Sequence, residues 1–334
     1  MANIVFSEAG GVNDSIFGKS QAPIRSFIEK RGEAFEQQSV VKELFAQEKS
    51  THFGEKFTSM TAMDGFQVVG ENGAYPTDGQ EEGYSKIMES VEWKDSFSIS
   101  KKIIEDAKLM DLRKKPAAFV TAYYRTREKF GAALLGGAIR GETSVDYAGG
   151  SFDLKTSDGK TLFAADHPAK VKGAVQSNVF SDAFSDDALG KLEVRMQNTR
   201  GDNDEILDVA PDTIVIPNIH SLKKAVFAAI GADKDPATAN NGYNYQFGRW
   251  NVIVWNYLNQ FITPGTTPWL LLDSAYNEEY GSLIWLDRVV LEVTSKIDDN
   301  TDANVWRGRA RFTAGFHDWR GIAAAGISGA SPLS

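Results

Sequence analysis

The one adjacent carboxylate–imidazole pair in this chain is Asp166-His167, set in Leu162-Phe163-Ala164-Ala165-Asp166-His167-Pro168. Such a pair could supply two metal ligands, or a general base and the carboxylate that orients it. Read structurally, the same residues make a surface turn, because Pro168 drives its predecessor towards extended geometry and Asp favours turns. The other histidines, His52, His220 and His317, show no i,i+4 pairing and no HExxH spacing, so a helical zinc site has no support. Gly136-Gly137-Ala138-Ile139-Arg140-Gly141 is glycine-rich but follows a helical pattern, whereas a phosphate cradle opens one. Those glycines are expected to end a helix. No Walker lysine and no GxSxG elbow occurs. The carboxylates are many and scattered, and none is marked as half of an acid/base couple. Neither a catalytic residue nor a cofactor or metal site is assigned.

Composition narrows the field further. The 334 residues contain no cysteine, which excludes disulfides, thiolate metal sites and cysteine nucleophiles at once. Apolar residues at 42% and charged residues at 24% suit a globular protein with a real core. A formal charge of −9 argues against a broad nucleic-acid footprint, which needs clustered Lys and Arg. No apolar run approaches the ~18 residues of a membrane span, and no signal sequence opens the chain.

The elements that would position any site are more informative. The first sixty residues read as a loose arm with a helix. Ile24, Phe27, Ile28, Arg31 and Phe35 follow helical spacing, and Val41, Leu44 and Phe45 resume it. The polar flanks Ser7–Ser20 and Glu48–Ser59 look extended or mobile. From Asp64 to Ser85 glycines, Pro76 and acidic residues dominate, with no Lys or Arg before Lys86. Phe66-Gln67-Val68-Val69 precedes this tip, and Val91, Trp93, Phe97 and Ile99 follow it at alternate positions. That pattern predicts a long β-hairpin, too poor in apolar residues to pack alone. It must lie against this chain or another copy.

A basic run follows, with Lys101, Lys102, Lys108, Arg113, Lys114 and Lys115. Beyond it Pro116, Phe119, Val120, Tyr123, Arg127, Phe130, Leu134 and Ala138 recur every three or four residues. Proline suits a first helical turn, so the spacing predicts a helix over 116–139, closed at Gly136-Gly137. Ser185 should cap a helix through Met196, and Asn218 one that ends at Gly231. Thr213–Pro217, Asn251–Trp255 and Trp269–Leu272 read as short buried strands, and 232–248 as a polar loop. Near the C-terminus Leu283–Val293 is one long strand, and Asp298–Asp302 an acidic turn. In the next strand Trp306, Ala310, Phe312, Ala314 and Phe316 take one face, while Arg307, Arg309 and Arg311 line the other. A small-residue strand from Gly321 to Ile327 follows. Alternate arginines can be a solvated face, or can hold an acidic neighbour through forked hydrogen bonds.

This order of parts resembles the major capsid protein of tailed bacteriophages, most closely the Mu-like major head subunit family. The residues carrying the likeness are the hairpin from Asp64 to Ile99, the helix from Pro116 to Ile139, Leu162–Pro168, the return strand Asn304–Phe316 and the short strand after Trp319. The resemblance implies an α+β capsid fold in which 1–60 form the N-terminal arm and helix, and 61–100 an extended β-hairpin loop. It places 101–180 and 283–320 in a peripheral domain around the spine helix, and 181–282 with 321–330 in an axial domain. It further implies self-assembly into hexamers and pentamers, an icosahedral head around double-stranded DNA, and assembly in the bacterial host cytoplasm. A scaffold, a maturation protease and a portal are the implied partners; membrane is not.

On that basis the acidic tip, with Glu71, Asp78, Glu81 and Glu82, is expected to dock on basic residues of a neighbour. Lys101, Lys102, Arg125 and Arg127 are the candidates, with Arg307, Arg309 and Arg311, while Trp93 and Phe97 add apolar burial. Two alternatives share parts of this pattern: an encapsulin-like compartment shell, and a metal-dependent enzyme using Asp166 and His167. The enzyme requires His167 in a cleft with further ligands.

Overall fold

A computed structural model of the protein describes residues 4–8, 28–61, 66–71, 73–77, 82–100, 102, 109–231 and 243–333. Ile24, Phe27, Asp64, Asp78, Glu81, Lys101, Lys108 and most of the 232–248 loop lie outside them.

Two sheets and one long helix organise the fold. The first sheet has the order β1-β11-β12-β5, with β2 also on β11. Its long pair is β11 (Leu283–Asp298) and β12 (Ala303–Phe316), antiparallel across the acidic turn. β5 (Val91–Ile99) flanks β12, while β1 (Ile4–Glu8) and β2 (Ala46–Lys49) each run parallel to β11 at different heights. The continuous apolar run that opens β11 is covered on both faces, Leu283 and Trp285 by the helix core and Ile284 and Leu286 by Phe57 and Met88, while β12 alternates as a strand with one covered face does.

That helix is α3 (Leu109–Ile139), preceded by α1 (residues 28–36) and α2 (Val40–Leu44). It starts a turn and more before Pro116, which therefore sits inside it. A proline there forfeits one i→i−4 hydrogen bond. Gly136 and Gly137 do not end α3. A Cβ on Gly136 would stand 2.7 Å from the carbonyl oxygen of Phe261, and one on Gly137 would stand 2.6 Å from Leu154 Cδ1. Glycine is used there for close approach. The stop is Gly141, with φ +73°, after which the amides of Gly141 and Glu142 return to the carbonyls of Ala138 and Gly137.

The ribbon formed by β3 (Gly54–Met60) and β4 (Glu82–Glu89) corrects the hairpin expectation. Phe66–Val69 belongs to neither strand, and the strand from Val91 leaves the ribbon for the first sheet. The alternation of Trp93, Phe97 and Ile99 is real. It reflects packing on β12 and α3, not pairing with Phe66–Val69.

A small hairpin, β6 (Ser144–Tyr147) and β7 (Gly150–Asp153), follows α3. The second sheet has the order β13-β10-β8-β9, from Ile322–Ala325, Trp269–Leu272, Thr213–Pro217 and Asn251–Trp255. Helices α4 (Asp186–Gln197) and α5 (His220–Ile230) cover one of its faces, and α6 (Ser274–Tyr280) follows β10. Ser185 caps α4 as expected, through the Ala188 amide. Asn218 does not cap α5; its amide donates to Asn256 Oδ1.

One core joins the layers. Phe130, Leu134 and Leu135 of α3 pack with Trp285 and Phe312 of the first sheet, and with Val215, Trp255 and Leu270 of the second. Nearer its N-terminus α3 packs Phe119, Val120 and Tyr124 on Ile28, Leu291 and Trp306. Each fully buried large apolar side chain is worth about 1.5–3 kcal/mol, so this shared core fixes the two sheets on a common helix.

Candidate subunit interface

The residues expected to meet a partner fall into two groups, those the fold has already used and those it presents. Arg127 belongs to the first. Its guanidinium donates to both carboxylate oxygens of Asp287, at 2.7 and 2.9 Å, and lies over the rings of Trp285 and Phe312. Burial alone would lower its pKa, but Tyr123 and Asp287 more than reverse this, so it stays charged. A fork donating to one carboxylate inside the fold is a closed unit. Arg127 is therefore engaged within its own fold.

Trp93 and Phe97 are likewise spent within the chain. Trp93 stacks on Phe312 at 4.8 Å and donates its indole N–H to the carbonyl of Phe312. Phe97 is tilted against Phe119 at 5.1 Å. Sequence spacing could not separate an aromatic strand face turned to its own helix from one turned to a neighbour.

The second group lies on the opposite face of the first sheet. Arg307, Arg309 and Arg311 stand opposite Thr294, Glu292 and Val289 of β11, and opposite Ser96, Lys94 and Glu92 of β5. Residues directly across a sheet share a face. Arg307, Arg309, Arg311 and Lys94 thus gather on one surface with two carboxylates among them. Arg309 bonds to Glu92 and lies 3.7 Å from Glu292, while Lys94 reaches Glu92 at 2.8 Å. The Lys94 and Arg309 bonds hold the Glu92 carboxyl down at about 2. Arg311 donates to Ser90 Oγ, and Arg307 feels the charge of Asp298 at the acidic turn. This surface is a net positive patch on a negative chain.

The loop beyond the ribbon is its chemical opposite. Phe66, Val68 and Tyr75 are fully exposed, and so is Glu71 in the turn closed by the Gly73 amide on the Gly70 carbonyl. Glu82 is exposed at the start of β4. Lys102 and Arg125 are exposed too, Arg125 beside a hollow of about 290 Å³ lined by Phe35, Trp255 and Tyr257. Among the described residues nothing covers these three large apolar side chains.

His167, the other candidate, is wholly buried, so the surface-turn expectation fails as well as the cleft. The ring stacks on Trp319 at 4.3 Å, with Nδ1 at 2.6 Å from Asp158 and Nε2 at 3.2 Å from Asn178 Oδ1. Asn178 in turn donates to the carbonyls of Leu162, Trp319 and Ile322. Asp166 is exposed and pairs with Lys160, not with His167. The imidazole therefore ties the 162–178 segment to β13. Its partner Asp158 is nine residues away and carried no signal in the sequence. Among the described residues no group of three His, Asp or Glu is placed to hold a metal.

Comparison with known proteins agrees with the arrangement of elements. A structure from Mycobacterium phage Patience superposes with a TM-score of 0.51 at 13% identity, over 94% of this chain and 90% of that one. The capsid of Ralstonia phage GP4 gives 0.53 at 12% identity, over 83% and 84%. At such identities the likeness is one of fold, and the fold is that of tailed-phage capsids. No curated protein matches in sequence. The model of one family, phage capsid protein, matches residues 84–325, from β4 of the ribbon to the end of β13. The chain belongs to that family and is a structural subunit of a phage head shell.

Proposed function

We propose that the subunit closes into hexamers and pentamers by laying its exposed loop on the arginine face of the next copy. The observation that carries this is the coexistence, in one chain, of an acidic, apolar loop that no described residue covers and a cationic sheet face. Contacts of two different patches are heterologous, and they form rings when the rotation closes. Single exposed ion pairs are worth only ~0–1 kcal/mol. Strength therefore comes from repetition, and from burying Phe66, Val68 and Tyr75 on the partner. Lys102 and Arg125 remain candidate contacts alongside Arg307, Arg309 and Arg311; Arg127, Trp93 and Phe97 do not.

In this scheme the first sheet with α3 forms the peripheral domain, and the second sheet with α4 and α5 the axial domain at the ring centre. The shell encloses double-stranded DNA without reading its sequence, is assembled in the host cytoplasm, and works with a scaffold, a maturation protease and a portal. The Leu162–Pro168 segment supports kinship with the Mu-like head subunit in particular.

Negative-stain microscopy of the purified chain tests assembly, and closed shells, tubes or rings are expected. Reversing Glu71, Glu81 and Glu82 to Lys should abolish those particles while leaving the far-UV circular dichroism unchanged. Unaltered particle yield would refute docking by the loop.

A further inference from the structure

The ribbon is not packed onto the body as the other strands are. Its apolar seat is small, Phe57 and Met88 against Ile284 and Leu286. Beside that seat it spans a cleft of about 600 Å³, with Phe57, Thr58, Ser59 and Thr61 on the ribbon side. Tyr280, Glu279, His317 and Arg320 line the body side. A strand pair over open space can pivot about its seat unless something else sets its angle.

Two lysines tie the ribbon to the body, one from each of them. Lys170 donates from Nζ to the carbonyls of Glu82 and Gly83, at 2.6 and 2.5 Å, and sits over the ring of Tyr84 at 5.5 Å. Its own backbone is anchored, since the Lys170 amide donates to Asp202 Oδ1 at 3.0 Å and Asp202 also holds the buried Arg320 at 2.8 Å. Lys86, on β4 itself, points the other way. Its largely buried ammonium pairs with Asp153 at 3.0 Å and donates to the carbonyl of Lys155. Both contacts grip β4. Besides the Phe57 seat, β3 is held at its base, where Glu55 accepts from Ser50 Oγ and the Thr51 and His52 amides; farther out it follows through its pairing with β4 and the bond from Ser59 Oγ to the carbonyl of Tyr84. Gly83 lets the strands cross closely there, as a Cβ would lie 2.9 Å from the carbonyl oxygen of Ser59.

We propose that Lys86 and Lys170 are positioning residues that latch the ribbon at one exit angle, and so set where its loop meets the next subunit. Neither touches that subunit; both act through β4. The latch is polar, so it can release and re-form without unpacking the core. Because the angle between successive copies determines curvature, the latch governs particle diameter. This rests on docking by the loop, but its first readout does not.

The test uses the full chain with K170M, K86M and the double variant, and K170R with K86R as conservative controls. Hydrogen exchange of the β3–β4 amides in unassembled chain should quicken about tenfold in K170M and more in the double variant, with α3 and the second sheet unchanged. In K170R it should stay near the wild-type rate. Particle diameters, measured by microscopy, should spread in K170M and narrow again in K170R. Unchanged ribbon exchange in both K170M and the double variant overturns the latch, whatever the particles do. Quickened exchange with an unchanged diameter distribution overturns its control of curvature. Should K86M not fold, K170M alone decides, since that side chain is exposed. If wild-type chain forms no particles at all, the docking scheme fails while the exchange result still decides the latch.

Discussion

Arg127 and Arg309 both answer to carboxylates of the first sheet, from opposite faces of it, and their surroundings differ in every respect. Arg127 is enclosed by aromatic rings and forks onto Asp287. Arg309 stands in water and shares Glu92 with Lys94. In the first case desolvation has already been suffered, so the pair holds only while both partners are present. In the second, water competes with every contact, and the side chain can exchange Glu92 for a carboxylate on another molecule at little cost. The contrast teaches where a subunit keeps its fold and where it keeps its options. Arg127 is largely buried and matched to a single carboxylate, whereas the arginines of β12 stand in an open row.

The comparison is broken most severely at Arg127. Arg127→Ala leaves the largely buried Asp287 carboxylate with the Trp285 indole N–H as its remaining side-chain donor, and loss of one member of a buried pair costs about 3–5 kcal/mol. Urea unfolding should show that loss, with the midpoint shifted and the slope kept.

A smaller effect comes from His317, which lies at the edge of the cleft beneath the ribbon, near Phe57. Burial lowers its pKa from 6.5, Lys86 and Arg320 push it further down, and Asp318 opposes them. The unfolded chain therefore takes up the proton first as pH falls. Stability is complete above about 6.5 and declines as pH drops from there towards the lower folded value. His317→Gln should flatten that part of the urea-midpoint profile, and an identical slope in the variant would remove His317 as its source.

The least effect is expected at Arg309. Arg309→Ala should leave the urea midpoint of the subunit unchanged, while particle yield becomes more sensitive to salt. A clear loss of subunit stability would mean that this face serves the fold after all.

Much of this architecture could be read in advance because burial writes itself into local pattern. Thr213–Pro217, Trp269–Leu272 and the strands from Leu283 and Trp306 are runs or alternations of apolar residues, and each is where its pattern places it. The ribbon strands were illegible for the same reason reversed. β3 is half-buried along most of Gly54–Met60, and β4 is largely exposed or half-buried, so neither carries a clear apolar alternation to detect. The ends of α3 misled because proline and glycine have two uses. Pro116 sits within a helix that begins earlier, and Gly136 and Gly137 admit neighbours. Of the interface, the arginine row was legible from its period of two. The internal use of Arg127 was not, since Asp287 is 160 residues away.

The first sheet pairs strands that lie far apart in sequence, with Ile4–Glu8 and Ala46–Lys49 lying beside Leu283–Asp298. A chain still emerging from the ribosome cannot finish that sheet until Leu283–Phe316 has been made, because such distant pairing has to await its partner. The cationic row on β12 is part of the same late-arriving hairpin. Truncated products that lack β12 would thus also lack that cationic row.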